Sequence, residues 1–474
     1  PRKPGVLYNA MIAPLIPYTL KGTIWYQGES NSKDPVAYRT LFPALIRNWR
    51  EEWGNDFSFY YVQIAPFHYG NEYSASMVRE AQMMTLKEVN TGMAVTMDIG
   101  NPYNIHPGNK LDVGHRLALW ALNRDYGRKI DYSGPIYKDF SKDGNKIIIE
   151  FDHAEEGLKV EGEKLIGFEI AGEDRKFKNA LANVVGSMVI VYHPDVDNPQ
   201  SVRFGFHDDI LTNLFDKNNL PASSFRTDDW DIPLEKVEFE PLWMDGRITQ
   251  LKLRSDNFDI IYSQSNGIEK KEGQYYKEPL TLDEKAVVRA QVVDKMGNRG
   301  GEYTFVKKQN IENLKMTKTV NAYEEDRSGG GKNALFDGIE SSEPFINSYW
   351  QGYKNVNFEA TIDLGSVKEI DSIIFRFLRD HVNGVLLPRA LTVDTSIDDL
   401  NYNPMQISVL NKPVENDSNQ IYLIPVVLSE KKARYIKIKI ENASNFPQWH
   451  WRGNRPVWLM MDEIEIVPFE SEEK

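Results

Sequence analysis

Apolar positions in the first part of the chain switch between two periods. Residues 23–26 form a short apolar run and residues 57–65 a longer, nearly continuous one, both read as strands. Between them Tyr38, Leu41, Phe42, Leu45, Ile46, Trp49 and Trp53 recur at spacings of three and four, which lines one face of a helix. A second helix is predicted over 76–88, a third strand over 93–97, and a third helix over 109–126 with Gly127 as its stop. Strand and helix thus alternate three times. That order predicts βαβ units around a parallel sheet, whose ligands bind where loops leave the C-terminal ends of the strands.

After Gly127 the period falls to two. Strands are predicted over 146–151 and 187–192, then over 248–253, 258–262 and 286–292, with Asp294-Lys295-Met296-Gly297 as a turn. Beyond the Gly-rich loop Ser328-Gly329-Gly330-Gly331, further strands are predicted over 358–364, 370–377, 434–440 and 461–467. The fold class expected is a multidomain chain, an α/β portion followed by all-β sandwich domains. The boundaries expected are 1–128 for the α/β part, 129–233 for a β-rich domain, 234–310 for a small Ig-like sandwich and 311–474 for a larger sandwich. A length of 474 residues fits several independent cores.

Composition narrows the function classes. Hydrophobic residues at 41% and charged residues at 26% describe an ordinary folded chain. A net charge of -13 opposes binding to nucleic acid or to an anionic membrane surface, so neither partner is expected. No apolar run approaches the roughly 18 to 20 residues that span a bilayer. The absence of cysteine excludes disulfides, thiol catalysis and Cys-ligated zinc, and the 8 histidines form no His-Glu-x-x-His pair, so a metal hydrolase is not expected. The chain opens Pro1-Arg2-Lys3-Pro4 without a charged-then-apolar leader and is expected to be a cut or processed product.

Two loops carry candidate chemistry. The first, Gln27-Gly28-Glu29-Ser30-Asn31, follows the first strand; its bland reading is a strand-to-helix turn in which Ser30 or Asn31 caps the next helix. The second, from Asp98 to Pro107, brings His106 to the opening of the third helix. An imidazole there is a candidate general base, against the reading of a structural histidine.

Four ordered motifs, Leu7-Tyr8-Asn9-Ala10-Met11-Ile12-Ala13-Pro14-Leu15, Trp25-Tyr26-Gln27-Gly28-Glu29-Ser30-Asn31, Arg79-Glu80-Ala81-Gln82 and Ile105-His106-Pro107, resemble the sialate O-acetylesterase branch of the SGNH hydrolases. The likeness continues to about residue 230 through Gly167-Phe168-Glu169-Ile170-Ala171-Gly172 and Leu220-Pro221-Ala222-Ser223-Ser224-Phe225-Arg226-Thr227-Asp228. It implies a flavodoxin-like parallel sheet, acetyl-ester hydrolysis on sugars by a serine nucleophile, and a secreted or periplasmic location. His106 matches the family's histidine, and Gln27, Gly28 and Asn31 match the oxyanion loop. Glu29 is expected as a buried partner of Arg79, and Asp98 as a group that orients His106.

Three departures stand out. The Gly-Gln-Ser-Asn type nucleophile motif occurs nowhere in this chain, so the serine is expected from an N-terminal remainder of the same gene product, with Ser30 a poor substitute. Tyr103 stands where many relatives of this superfamily have the aspartate of a triad, which leaves a Ser-His dyad open. Asn31 follows Gly28 by three residues rather than two.

Residues 314–470 resemble a discoidin, or coagulation factor 5/8 type C, domain through Tyr349-Trp350-Gln351-Gly352, Ala360-Thr361-Ile362-Asp363-Leu364-Gly365 and Arg434-Tyr435-Ile436-Lys437-Ile438. Bacterial copies bind carbohydrate, which makes Trp350, Trp449, His450 and Trp451 candidate sugar-stacking residues. No catalytic cofactor is implied; a structural calcium ion in this domain is. Residues 234–308 resemble the small sandwich of bacterial hexosaminidases and are read as a spacer. Two other readings stay open: a non-catalytic glycan-binding protein, and an acetylesterase of xylan or another plant polysaccharide.

Overall fold

The structure is a computed structural model and describes residues 5–69, 73–244, 247–266, 273–283, 285–308, 314–341, 349–380, 383–409, 420–428, 432–443, 445–446, 448, 453 and 455–469. Strands β1 (Gly22–Trp25), β2 (Ser58–Val62) and β3 (Thr91–Ala94) form a parallel sheet in the order β1-β2-β3, with Ile24 beside Tyr60 and Phe59 beside Thr91. Helices α1 (Pro35–Trp53), α2 (Ser74–Thr85) and α3 (Lys110–Arg124) alternate with them. Phe59 and Tyr61 pack with Tyr38, Phe42 and Ile46 of α1 and with Ala75, Val78 and Ala81 of α2. Tyr60 and Val62 point the other way, onto Val113, Leu117 and Trp120 of α3. Helices cover both faces of β2, which is why its sequence is continuously apolar instead of alternating.

Helix α1 is capped by Asp34, whose carboxylate accepts a hydrogen bond from Ala37 N at 3.2 Å, and not by Ser30 or Asn31. Those two residues belong to a separate helical turn, Glu29–Lys33, that comes before α1 begins. Pro35 opens the helix and Gly54, at φ 60°, closes it. Helix α2 starts two residues earlier than its pattern predicts, because its N-terminal donors are met from far along the chain. The Asp208 carboxylate accepts from Ala75 N (2.6 Å), Ser76 N (3.3 Å) and Ser74 Oγ (2.9 Å).

The chain then runs through antiparallel strands. Ile136–Asp143, Lys146–Asp152, Met188–Tyr192 and Leu181–Val185 build one sheet. Phe168–Ala171, Lys178–Asn179, Ser201–Phe204 and Phe225–Arg226 build a second. Their inner faces share a core that includes Ile147, Ile149, Phe168, Ile170, Val189, Val202, Phe204 and Phe225. This region also grips α2: Arg226 Nε lies 2.7 Å from Glu80 Oε1, whose other oxygen meets Arg39 Nη2 at 2.5 Å. Arg226 and Arg203 both hold the buried Asp228 carboxylate.

The structure divides into two units, Pro1–Lys236 with Val292–Gly301, and Val237–Gln291 with Glu302–Lys474. The second unit is built of β-strands. Where two strands were predicted over 358–364 and 370–377, one strand, Phe358–Arg379, runs through. Register shifts between Asp363 and Lys368 and between Ile370 and Ser372 bend it, so that its first half pairs Lys432–Glu441 and its second half Gln420–Val427 and Trp458–Pro468. No described helix is long and apolar enough to cross a membrane. Among the described residues no three His, Asp or Glu side chains converge on a metal-holding point.

Candidate active site

The turn after β1 is determined by hydrogen bonds and by lack of space. Gln27 Nε2 donates to Asn31 Oδ1 at 2.7 Å, and Tyr38 OH donates to Gln27 Oε1 at 3.2 Å. Asn31 N closes the turn onto Gly28 O at 2.9 Å. Gly28 itself sits at φ 150°, and a Cβ there would lie 2.8 Å from Ile64 Cγ2 and 3.3 Å from Val78 Cγ1, so glycine is required twice over. With Gln27 Oε1 and Asn31 Oδ1 both engaged, the Gly28 N–H and the Asn31 Nδ2 group have no hydrogen-bond partner among the described residues. These are two donors without partners on a fixed frame, which is what binding a developing oxyanion requires.

Burial pushes the Tyr38 phenol well up, and burial together with the nearby Glu29 charge pushes Tyr26 up to about 12. Tyr38 therefore stays protonated and keeps donating to Gln27. Glu29 lies half-buried in the same turn, but it does not pair with Arg79 as expected. The Arg79 guanidinium is fully buried and gives its hydrogen bonds to Ser76 Oγ (2.9 Å), His207 O (2.5 Å) and Asp208 O (3.3 Å), holding the antiparallel region to α2.

The loop after β3 carries His106. Its backbone N donates to Asn104 Oδ1 at 2.9 Å; the ring is exposed and makes no hydrogen bond among the described residues. Asp98 does not orient it. Both oxygens of Asp98 are taken by Arg116 of α3, at 2.7 and 2.6 Å in a bidentate, largely buried pair, so the carboxylate ties loop to helix. Just beyond, Lys110 at the start of α3 lies 4.6 Å from the centre of the Tyr26 ring, with Nζ 3.4 Å from its hydroxyl. The turn after β1 and the loop after β3 therefore leave the same end of the sheet and approach one another across β2.

The residue that sequence reasoning missed is Gln82. Its motif is visible, but its role depends on contacts with residues 55 and 20 positions away: Gln82 Nε2 donates to Gln27 O (3.3 Å) and Val62 O (3.0 Å), and Gln82 Oε1 accepts from Ile64 N (2.9 Å).

In the second unit Trp350 is 1% exposed and packs against Leu378, Val385 and Met460, so its indole is core and has no face to offer a sugar. Trp449, His450 and Trp451 lie outside the described residues.

Comparison with known proteins agrees with both resemblances. Residues 2–123 match the family model described as carbohydrate esterase, sialic acid-specific acetylesterase, and residues 319–461 match the F5/8 type C domain. The chain is 37% identical over 160 residues to sialate O-acetylesterase of Mus musculus, an alignment that takes 29% of this chain and 30% of the mouse protein. The human sialate O-acetylesterase aligns over 158 residues at the same identity. The alignment thus spans under a third of these curated relatives. Among solved structures, a carbohydrate acetylesterase from Xanthomonas citri is 45% identical, covering 47% of this chain and 54% of that one, with a TM-score of 0.46.

Proposed function

We propose that this chain carries the base-and-oxyanion half of a secreted carbohydrate O-acetylesterase, acting on O-acetylated sugars of the sialic acid type. The observation that carries this reading is the pair of unspent donors, Gly28 N–H and Asn31 Nδ2, held on a locked turn at the sheet end from which the His106 loop also emerges. His106 takes the proton from a serine hydroxyl as it attacks the acetyl carbonyl; the carbonyl oxygen, now negative, accepts from the two donors. The same imidazole then protonates the departing sugar oxygen, and water releases acetate by repeating the cycle. Asp98 is committed to Arg116, and we read the site as a Ser-His dyad.

The serine comes from an upstream segment. Edge strand β1 supports this: among the described residues it pairs with β2 on one side only, and its Ile24 is 70% exposed. An uncapped apolar edge of this kind favours a further strand. The F5/8 type C region supplies glycan attachment.

A chain extended upstream is expected to hydrolyse p-nitrophenyl acetate and O-acetylated sialic acid, and to lose this in His106→Ala. Full activity in that variant overturns the assignment. Glycan binding without turnover in the extended chain favours the non-catalytic reading, and turnover of acetylated xylan alone moves the substrate to plant polysaccharide.

A further inference from the structure

We infer that Gln82 is a positioning residue for the oxyanion turn, setting the place of the Gly28 peptide from the fixed reference of α2; this rests on the esterase reading above. Helix α2 cannot shift easily. Nine of its twelve residues are buried, among them Arg79 and Gln82 with no exposed surface. Asp208 caps its first turn, Arg79 binds His207 O and Asp208 O, and Glu80 is clamped between Arg39 and Arg226.

From this anchored helix one primary amide reaches out to two strands at once. Gln82 Oε1 accepts from Ile64 N and Gln82 Nε2 donates to Val62 O, closing the end of β2; the same Nε2 donates to Gln27 O, the carbonyl of the peptide whose nitrogen is Gly28 N. A hydrogen bond to that carbonyl fixes the plane of the peptide, and with it the direction in which the Gly28 N–H points. Contact completes the control: Gly28 is pressed against Ile64 and Val78 and lies near Gln82 Nε2 itself. Glutamine suits this role because one side chain must supply an acceptor and two donors from one plane. Glutamate offers no donor when ionised, and methionine offers neither function.

The experiment uses two readouts on Gln82→Met and Gln82→Glu. In the 474-residue chain, amide hydrogen exchange at residues 28–31 is expected to speed up about 10-fold or more in Gln82→Met, relative to the β2 amides at 59–62. In the extended chain, kcat is expected to fall about 100-fold while KM moves less than 2-fold, since displaced donors are lost to the transition state and not to ground-state binding. At neutral pH Gln82→Glu is expected to be no better than Gln82→Met. Unchanged exchange at 28–31 overturns the inference, as does kcat at the level of the unsubstituted chain. Exchange that rises equally across β2 and the turn also overturns it, because that is the pattern of a merely structural amide. If the unsubstituted extended chain hydrolyses no acetyl ester, the esterase reading fails, while the exchange comparison still decides whether Gln82 holds the turn.

Discussion

The turn after β1 and the loop after β3 leave the same end of one sheet, yet they are held in opposite ways. In the turn, Gln27, Asn31, Tyr38 and Gln82 form a closed set of hydrogen bonds around a glycine with no room for a side chain. In the loop, the backbone is tied down as far as Pro102, whose carbonyl accepts from His68 N at 3.0 Å; beyond it the chain relies on local bonds of Asn101 and Asn104, and the His106 ring stands exposed. The difference fits the two proposed tasks. Donors to an oxyanion stabilise the transition state only if they are in place beforehand, whereas a general base takes its final orientation from the hydroxyl it deprotonates. On the proposed reading, the two candidate oxyanion donors sit on the fixed turn and the candidate base on the more loosely held loop.

The sharpest way to break this comparison is His106→Ala. It is expected to lower kcat of the extended chain by about 10²- to 10⁴-fold, while leaving the melting temperature of the 474-residue chain where it was, because the ring is exposed and makes no hydrogen bond among the described residues; a clear loss of stability would make His106 structural. Asp98→Ala is expected to do the reverse to first order. It strands Arg116 as a buried cation beside Val95 O and costs about 3 kcal/mol in urea unfolding.

A third effect is pH-dependent and tests the anchor of α2. Burial raises the Asp208 carboxyl to about 6 against about 3.9 in an unfolded chain, so between these values the folded state holds a proton that the unfolded state has released. This contribution to stability is fully present below about pH 4 and is lost as pH rises through about 6, by about 1.4 kcal/mol per unit and about 3 kcal/mol in all. Comparing urea midpoints at pH 4 and pH 7, Asp208→Asn is expected to lack this loss; equal slopes in variant and parent would remove Asp208 from the account. The smallest effect is expected of Gly28→Ala, which forces a Cβ against Ile64 in a strained conformation for about 1 to 3 kcal/mol, read from the thermal midpoint.

How legible each region was follows the same physics. The face of α1, apart from the exposed Leu41, the span of α3 and the buried strand β2 were readable because burial imposes a periodic pattern that neighbours in sequence share. The start of α2 was misplaced by two residues because its cap comes from Asp208, 134 positions after Ser74. Motif resemblance picked out Gln27, Gly28, Asn31 and His106, but it said nothing about partners: Asp98 and Arg79 were matched to the wrong ones because a charged side chain seeks whichever group the fold brings near. Trp350 failed for a related reason, since an indole reads alike on a surface and in a core.

By itself the amino-acid order determined the alternation of helix and strand and the later change to paired strands. These depend on covalent neighbours and on periodicity. Only the tertiary structure decided that Arg116 claims Asp98, that Gln82 ties two strand ends to the glycine turn, and that Lys110 meets Tyr26, because those contacts join residues 18 to 84 positions apart and exist only once the sheet has brought them together.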